Sequence, residues 1–142
     1  MKEMPIETQV AELTEGIRLL VRRVRAAAAG QGLSLTEAAV LGRLEQFGPA
    51  TTADLARAEA VKPQSMGTTI ATLEEMGLVE RKAHPTDGRQ MLIELSAKGR
   101  ELRQTTRTAK QTWLVEAIAK LDGEEREALF AASKILKRLA EQ

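Results

Sequence analysis

Side chains that could perform covalent or metal chemistry are scarce in this 142-residue chain. It contains one histidine, His84, and neither cysteine nor tyrosine. Disulfides, cysteine–zinc sites and thiolate nucleophiles are therefore excluded, and most metal centres and histidine-based catalytic triads are removed with them. No pair of acidic residues stands in a setting that would separate their pKa values. We therefore expect no enzyme, no metal site and no cofactor.

Hydrogen-bonding and basic side chains are the groups left to recognise a ligand. The net charge is only +1, so the whole chain lacks the strongly basic balance that indicates nucleic-acid binding. The segment from Val61 to Leu73 has one lysine and no acid, and the segment from Arg81 to Gln90 has three basic residues against Asp87. Any basic footprint must therefore be local.

Two amphipathic helices open the predicted order of elements. Apolar residues at steps of three and four predict the first helix from Ile6 to about Gly30. The second begins at a capping box, in which Ser34 caps the helix and Glu37 lies three residues further on. It ends near Phe47, before Gly48-Pro49, which is a strong stop signal.

A short third helix, a turn and a fourth helix follow. Thr51 is the predicted N-cap of the third helix, and Pro63 starts the fourth, because a proline's missing N–H has no partner at that position anyway. Gly77 ends the fourth helix near Met76. Its inward face carries Met66, Ile70 and Leu73, its outward face carries Gln64, Thr68 and Ala71, and Ser65 and Thr72 lie on the flank. The outward face is small and neutral, whereas a solvated helix more often carries Lys and Glu.

A hairpin and two long helices complete the order. Residues 78–83 and 90–95 are predicted strands, and the run His84-Pro85-Thr86-Asp87-Gly88-Arg89 between them contains hairpin signals and projects as an arm. We interpret His84 as a loop residue rather than as a ligand or a pH switch. Ser96 is the predicted cap of the fifth helix, and Asp122 with Glu125 forms the capping box of the sixth.

This order predicts a mainly α fold, a winged helix-turn-helix with a two-stranded wing plus N- and C-terminal dimerisation helices. One chain, 1–142, would contain a DNA-binding lobe at 33–99 and dimerisation helices at 6–30 and 97–142. The predicted core of the lobe is Leu41, Leu44, Leu55, Val61, Met66, Ile70, Leu73, Val79, Leu92 and Leu95. Since this lobe cannot cover the stripes of the first, fifth and sixth helices, we expect a twofold-symmetric homodimer.

The block from Leu33 to Gly99 resembles the MarR (multiple antibiotic resistance regulator) family. The resemblance is carried by Gly77-Leu78-Val79-Glu80-Arg81, by Asp87-Gly88-Arg89 and by Leu95-Ser96 with Gly99. These segments match the family's strand, its Asp-x-Arg wing and its entry into the long helix. Pro63-Gln64-Ser65 is similar to the family's recognition-helix start. The chain lacks the cysteine through which some members sense oxidants.

The resemblance implies a dimeric, sequence-specific regulator of transcription, in particular a repressor that binds a pseudo-palindromic double-stranded operator. The residues expected to contact DNA are Thr52, Lys62, Pro63, Gln64, Ser65, Thr68, Thr72 and Arg89. Arg89 would enter the minor groove, while Asp87 would orient Arg89 and Arg81 would support the wing.

Family members often bind a small aromatic or phenolic effector that releases the DNA. For this chain the resemblance implies a pocket lined by Ile17, Leu20, Leu41 and Trp113. No stretch is apolar enough to span a membrane, and the N-terminus lacks a secretory pattern, so we expect a cytoplasmic protein. Two alternatives stay open: a winged-helix dimer that binds proteins instead of DNA, and an architectural DNA-binding protein without an effector.

Overall fold

The computed structural model describes residues 3–29 and 32–142, and this part of the chain folds into six helices and one small sheet. The elements are α1 (Ile6–Ala27), α2 (Leu35–Phe47), β1 (Ala50–Thr51), α3 (Thr52–Ala58), α4 (Pro63–Glu75), β2 (Val79–Ala83), β3 (Met91–Leu95), α5 (Ala97–Ala119) and α6 (Gly123–Ala140). The predicted mainly α fold and the winged-helix order are confirmed. Helix α1 ends at Ala27, and the predicted stop at Gly30 lies outside the described residues.

The chain divides into two compact units. One unit, Ala29–Arg107, contains α2 to β3 and the first half of α5, and we call it the wing unit. The other, Met1–Ala28 with Thr108–Gln142, contains α1, the second half of α5 and α6, and we call it the terminal unit. The boundary thus falls within α5, whereas the sequence assigned all of 97–142 to dimerisation. That functional division stays a prediction.

Capping boxes start two of the helices, as predicted. At α2 the Ser34 hydroxyl accepts the N–H of Glu37 at 3.1 Å, and the Glu37 carboxylate accepts the N–H of Ser34 at 2.8 Å. At α6 Asp122 and Glu125 exchange the same two hydrogen bonds, at 2.8 and 3.2 Å. Each box satisfies two backbone donors that would otherwise lack partners, which fixes where the helix begins.

The core of the wing unit is formed by α2, α3, α4 and the sheet. Its largest fully buried side chains are Val40, Leu41, Leu55, Met66, Ile70, Leu73 and Ile93. The predicted inward face of α4 is confirmed. The prediction for Leu92 is wrong, because Ile93 is the fully buried residue and Leu92 is only half-buried. Neighbouring strand residues point to opposite faces, so Ile93 shares the inward face with Leu95 and Leu92 does not.

A third strand extends the predicted two-stranded wing. The sheet is antiparallel with the order β1-β3-β2, and β1 pairs with β3 through Ala50 and Ile93. Strand β2 pairs with β3 from Val79 opposite Leu95 to Ala83 opposite Met91. Because β1 joins the wing hairpin directly to the start of α3, the base of the hairpin is attached to the helix-turn-helix.

Helices α1 and α6 of the terminal unit have apolar faces that the unit itself leaves uncovered. Neither helix contains a buried residue. The exposed apolar residues include Ile6, Val10, Leu13, Ile17 and Leu20 of α1 and Leu129, Phe130, Ile135, Leu136 and Leu139 of α6. Within residues 3–29 and 32–142, no helix combines the length and the apolar character that crossing a membrane requires.

Candidate nucleic-acid interface

Helix α3 and the turn that follows it position α4. The hydroxyl of Thr51 accepts the N–H of Asp54 at 3.1 Å and caps α3 as predicted. At the other end Ala60 adopts a positive φ of 54°, and the N–H of Val61 reaches the carbonyl of Ala56 at 3.0 Å. This left-handed residue reverses the chain within a single turn, so α4 starts immediately afterwards at Pro63.

The outward face of α4 is exposed and carries hydrogen-bonding groups. Gln64, Ser65, Thr68 and Thr72 are all exposed. The Thr68 and Thr72 hydroxyls donate to the carbonyls of Gln64 and Thr68, at 3.3 and 3.1 Å, so their oxygens keep lone pairs that can accept from a ligand. This face can therefore offer amide and hydroxyl groups to the edges of bases.

The start of α4 suits an anion. Its N-cap, Lys62, is exposed and supplies no side-chain cap to the helix. The first backbone N–H groups therefore have no side-chain acceptor, and they lie at the positive end of the helix dipole. A phosphate oxygen could accept from these groups while the Lys62 ammonium pairs with its charge. Thr52, at the start of α3, is half-buried.

The wing tip is an ordered turn. The Nδ1 atom of His84 accepts the N–H groups of Thr86 and Asp87, at 3.2 and 3.0 Å. The Asp87 carboxylate then accepts the N–H of Arg89 at 3.0 Å, and the Asp87 carbonyl accepts the N–H of Gln90 at 3.1 Å. Side-chain acceptors thus hold both halves of the turn, as in other turns built on Asx-type hydrogen bonds.

Arg89 extends from this turn into solvent. Its side chain is 94% exposed, and its Nε lies 3.5 Å from an Asp87 carboxylate oxygen. The guanidinium therefore keeps most of its donors free of protein partners while Asp87 limits where it can point. This contact fits the predicted orienting role of Asp87, although that role itself stays a prediction.

Arg81, expected to support the wing, contacts the end of α4. Its Nε lies 3.2 Å from a carboxylate oxygen of Glu74, so the side chain connects β2 with α4. Across the hairpin, Lys82 and Glu94 form an ion pair at 2.7 Å. The hydrogen bond to Glu94 raises the pKa of Lys82 above its usual range, so this lysine stays charged at neutral pH.

The C-terminal end of α4 is held by its own cap. Gly77 has a φ of +75°, and its N–H reaches the carbonyl of Glu74 at 2.9 Å. The N–H of Leu78 reaches the carbonyl of Leu73 at 3.0 Å. This pair of hydrogen bonds is the Schellman motif, in which glycine adopts the left-handed conformation without steric conflict.

The start of α5 fastens the same end of α4 a second time. The Ser96 hydroxyl donates to the Gly77 carbonyl at 2.5 Å, and the Lys98 ammonium donates to the Met76 carbonyl at 2.8 Å. Ser96 also caps α5 as predicted, by accepting the N–H of Gly99 at 3.0 Å. A Cβ atom on Gly99 would lie 2.1 Å from the Leu78 carbonyl oxygen. Glycine is therefore required at this position.

The residues of the predicted effector pocket fall in both units. Ile17, Leu20 and Trp113 belong to the terminal unit, where the Arg23 guanidinium lies 5.0 Å from the centre of the Trp113 ring. Leu41 belongs to the wing unit and is fully buried in its core. The pocket stays a prediction.

Sequence reasoning missed the structural roles of three residues at this site. Glu74 anchors Arg81, Lys98 caps the end of α4, and His84 accepts hydrogen bonds within the wing turn. For His84 a signal was present, because a side-chain acceptor two and three residues before backbone donors is the spacing of an Asx-type turn. Glu74 and Lys98 depend on contacts between elements, which spacing does not reveal.

These features define a winged helix-turn-helix protein with an exposed polar face on α4. Comparison with known proteins assigns it to a family. Residues 33–91 match the MarR family profile. A protein named as an uncharacterised HTH-type transcriptional regulator of Mycobacterium bovis is 36% identical over 132 residues, which cover 93% of this chain and 92% of that protein. The chain belongs to the MarR family of DNA-binding transcriptional regulators.

Two further matches are a solved structure and a protein named as a repressor. The crystal structure of a putative transcriptional regulator of Pseudomonas aeruginosa superimposes with a TM-score of 0.83 at 31% identity, and 99% of each chain is covered. An HTH-type transcriptional repressor of Mycobacterium tuberculosis is 40% identical over 79 residues, which cover 56% of this chain and 57% of the repressor.

Proposed function

We propose that this protein is a homodimeric repressor that binds a pseudo-palindromic operator, with α4 in the major groove and the wing in the minor groove. The observation that carries the proposal is the wing tip, where an arginine that is 94% exposed is tethered to a neighbouring aspartate. An exposed guanidinium on a narrow arm matches the strong negative potential of a narrow minor groove. Membership of the family implies that the protein binds DNA, and Arg89 offers a specific contact through which it could do so.

The exposed face of α4 would read base edges. The amide of Gln64 suits a bidentate pair with adenine, and the hydroxyls of Ser65, Thr68 and Thr72 suit base edges or phosphates. Lys62, Pro63 and Thr52 lie at the starts of α4 and α3, where helix N-termini favour phosphates and set the register on the duplex.

Dimerisation would occur through the terminal unit. A folded monomer rarely exposes as much contiguous apolar surface as two helices without buried residues would present. A second copy of the same helices is the simplest complement, and it gives the twofold symmetry that a palindromic site requires. The two α4 helices would then read half-sites about 34–36 Å apart.

Repression and its release are the finer parts of the proposal. The name of the mycobacterial relative supports repression over activation. A small aromatic or phenolic effector is expected from the family, and the pairing of Arg23 with Trp113 offers a charged and an aromatic partner for such a molecule. A screen of aromatic acids that quench the fluorescence of Trp113 and release bound DNA would test this part.

The decisive test compares Arg89→Ala with Arg126→Ala, which removes the same charge from α6. The probe is a labelled duplex selected from genomic fragments by the wild-type chain. We expect Arg89→Ala to weaken binding by about 1–3 kcal/mol in fluorescence anisotropy, and Arg126→Ala to leave it nearly unchanged. Light scattering should show both variants as dimers. Equal affinity of Arg89→Ala and wild type would refute the minor-groove assignment.

A further inference from the structure

We propose that His84 is a positioning residue for Arg89 and that protonation of its imidazole unlocks the wing and weakens DNA binding. The inference rests on the proposed function, because it concerns the same wing arginine. It revises the interpretation of His84 as a loop residue rather than a pH switch, because the hydrogen bonds at Nδ1 could not be seen in the sequence. His84 lies five residues from Arg89 and is not proposed to touch DNA. Its effect passes through the turn that separates the two residues.

The geometry fixes which form of the imidazole is present. Two backbone N–H groups, of Thr86 and Asp87, point at Nδ1 of His84 from 3.2 and 3.0 Å, and a backbone N–H can only donate. Nδ1 must therefore carry its lone pair, and in the neutral ring the proton lies on Nε2. The Thr86 hydroxyl lies 3.3 Å from the same nitrogen and can donate to it as well.

The hydrogen bonds from the N–H groups of Thr86 and Asp87 to Nδ1 of His84 are called the lock below, and they connect to Arg89 through Asp87. Asp87, whose N–H is held by His84, uses its carboxylate to accept the N–H of Arg89 and lies 3.5 Å from its Nε. The backbone N–H of His84 donates to the Gln90 carbonyl at 3.3 Å and closes the loop. A change at His84 therefore alters the position of Asp87, on which both contacts to Arg89 depend.

Protonation removes the acceptor. An imidazolium carries a proton on Nδ1 and can only donate, so Thr86 and Asp87 would lose their common partner. Histidine is the side chain that titrates between about pH 5 and pH 8, which makes this loss accessible under mild conditions. The lock is therefore closed by the neutral imidazole and opened by the imidazolium.

The other charged groups of the hairpin do not reproduce this change. The hydrogen bond to Glu94 raises the pKa of Lys82, so Lys82 keeps its charge, and arginine side chains are effectively always protonated. The remaining charged residues on β2 and at its contact with α4 are Glu80, Arg81 and Glu74. Variants at position 84 alone therefore isolate the contribution of the imidazole.

The sign of the effect separates the lock from simple electrostatics. An imidazolium on the wing adds a positive charge near phosphates, which by itself strengthens DNA binding at low pH. Loss of the turn acts in the opposite direction, by releasing Arg89 from its preferred orientation. Binding that weakens as His84 is protonated can therefore be attributed to the lock.

The test measures the affinity of the full-length chain for the selected duplex at about pH 7.5 and about pH 5.5, for wild type, His84→Asn and His84→Ala. Asparagine keeps a short side-chain acceptor for the turn but does not titrate. We expect the wild type to lose about three- to tenfold more affinity than His84→Asn on acidification. His84→Ala should already be weakened by a similar factor at the higher pH.

A second readout follows the lock without DNA. In two-dimensional NMR spectra, the amide signals of Thr86 and Asp87 should titrate together with the His84 ring in the wild type and stay fixed in His84→Asn. Parallel pH profiles of wild type and His84→Asn, or tighter wild-type binding at low pH, would overturn the inference. Amide signals that titrate in a wild-type chain that binds no duplex would refute the proposed function and leave the lock standing.

Discussion

Helices α1 and α4 have apolar stripes of similar spacing, but the stripe of α4 is buried and that of α1 is exposed. Met66, Ile70 and Leu73 of α4 are fully buried, whereas Val10 and Leu13 of α1 are about half exposed, at 53% and 50%. Spacing alone therefore does not tell whether a stripe is satisfied within its own chain. That depends on what the rest of the chain can place against it.

The wing unit buries its apolar side chains within the chain, whereas the terminal unit leaves the apolar faces of α1 and α6 exposed. In the wing unit, the buried side-chain nitrogen and oxygen atoms that the structure describes have hydrogen-bond partners, and the C-terminal end of α4 is held by Gly77, Ser96 and Lys98. In the terminal unit, α1 and α6 contain no buried residue. Apolar surface of this extent is removed from water most simply by a second copy. Substitutions in the two units can test each side of this contrast.

The largest effect is expected from Leu13→Asp in the middle of the α1 stripe. In a symmetric dimer the substitution acts twice, since each copy loses a buried leucine and gains a charge without a partner. We expect the dissociation constant of the dimer to rise by about 10³-fold or more, measured by sedimentation equilibrium.

The matched control is Leu35→Asp, on a leucine that is 80% exposed at the start of α2 in the wing unit. It introduces the same charge at an exposed leucine, and we expect the dimer to persist. If Leu13→Asp is as dimeric as Leu35→Asp, the apolar face of α1 is not the interface.

The second prediction uses the two faces of α4. Ile70→Ala removes a fully buried side chain from the core, and we expect it to lower the free energy of unfolding by about 2–5 kcal/mol in urea denaturation. Thr68→Ala, on the exposed face, should change stability by less than about 0.5 kcal/mol but weaken DNA binding. If both variants lost stability and DNA affinity to the same extent, the two faces of α4 would not have separate roles in the core and in DNA binding.

The sequence predicted the starts of helices in both units well because those signals are local. Capping boxes at Ser34 and Asp122 and the proline start of α4 each depend on residues within one turn. The strand β1 was missed because two residues are too few to show an alternation of burial. The error at Leu92 has a different origin, since a run of apolar residues hides the alternation.

Glu94 contained the information that would have corrected that error. A charged residue on a half-buried strand marks the outward face, and Leu92 lies two residues from it on the same face. The candidate site could also be predicted only in part. The wing residues could be found from their types, but the partner of Arg81 and the acceptor role of His84 depend on how elements and turns fold together.

A third prediction compares Gly99 and Gly67, two glycines that lie within helices. Gly99 lies where β2 and α5 meet the end of α4, and any Cβ there would collide with the Leu78 carbonyl oxygen. Backbone must shift to accept it, so we expect Gly99→Ala to lower the free energy of unfolding by about 1–3 kcal/mol. Because this junction also holds α4, DNA affinity should fall in parallel.

Gly67, in the middle of α4, should respond to the same substitution with the opposite sign. No described atom outside its own helix lies within 4 Å of the Cβ position, so alanine meets open space. Alanine also restricts the unfolded chain and favours the helix, and we expect Gly67→Ala to raise the free energy of unfolding by about 0.5–1 kcal/mol. If stability rises but DNA affinity falls, the added methyl group obstructs the approach of α4 to the duplex, which would place Gly67 at the interface. If both stay at or above wild type, the glycine is a tolerated residue and lies outside the contact surface of α4.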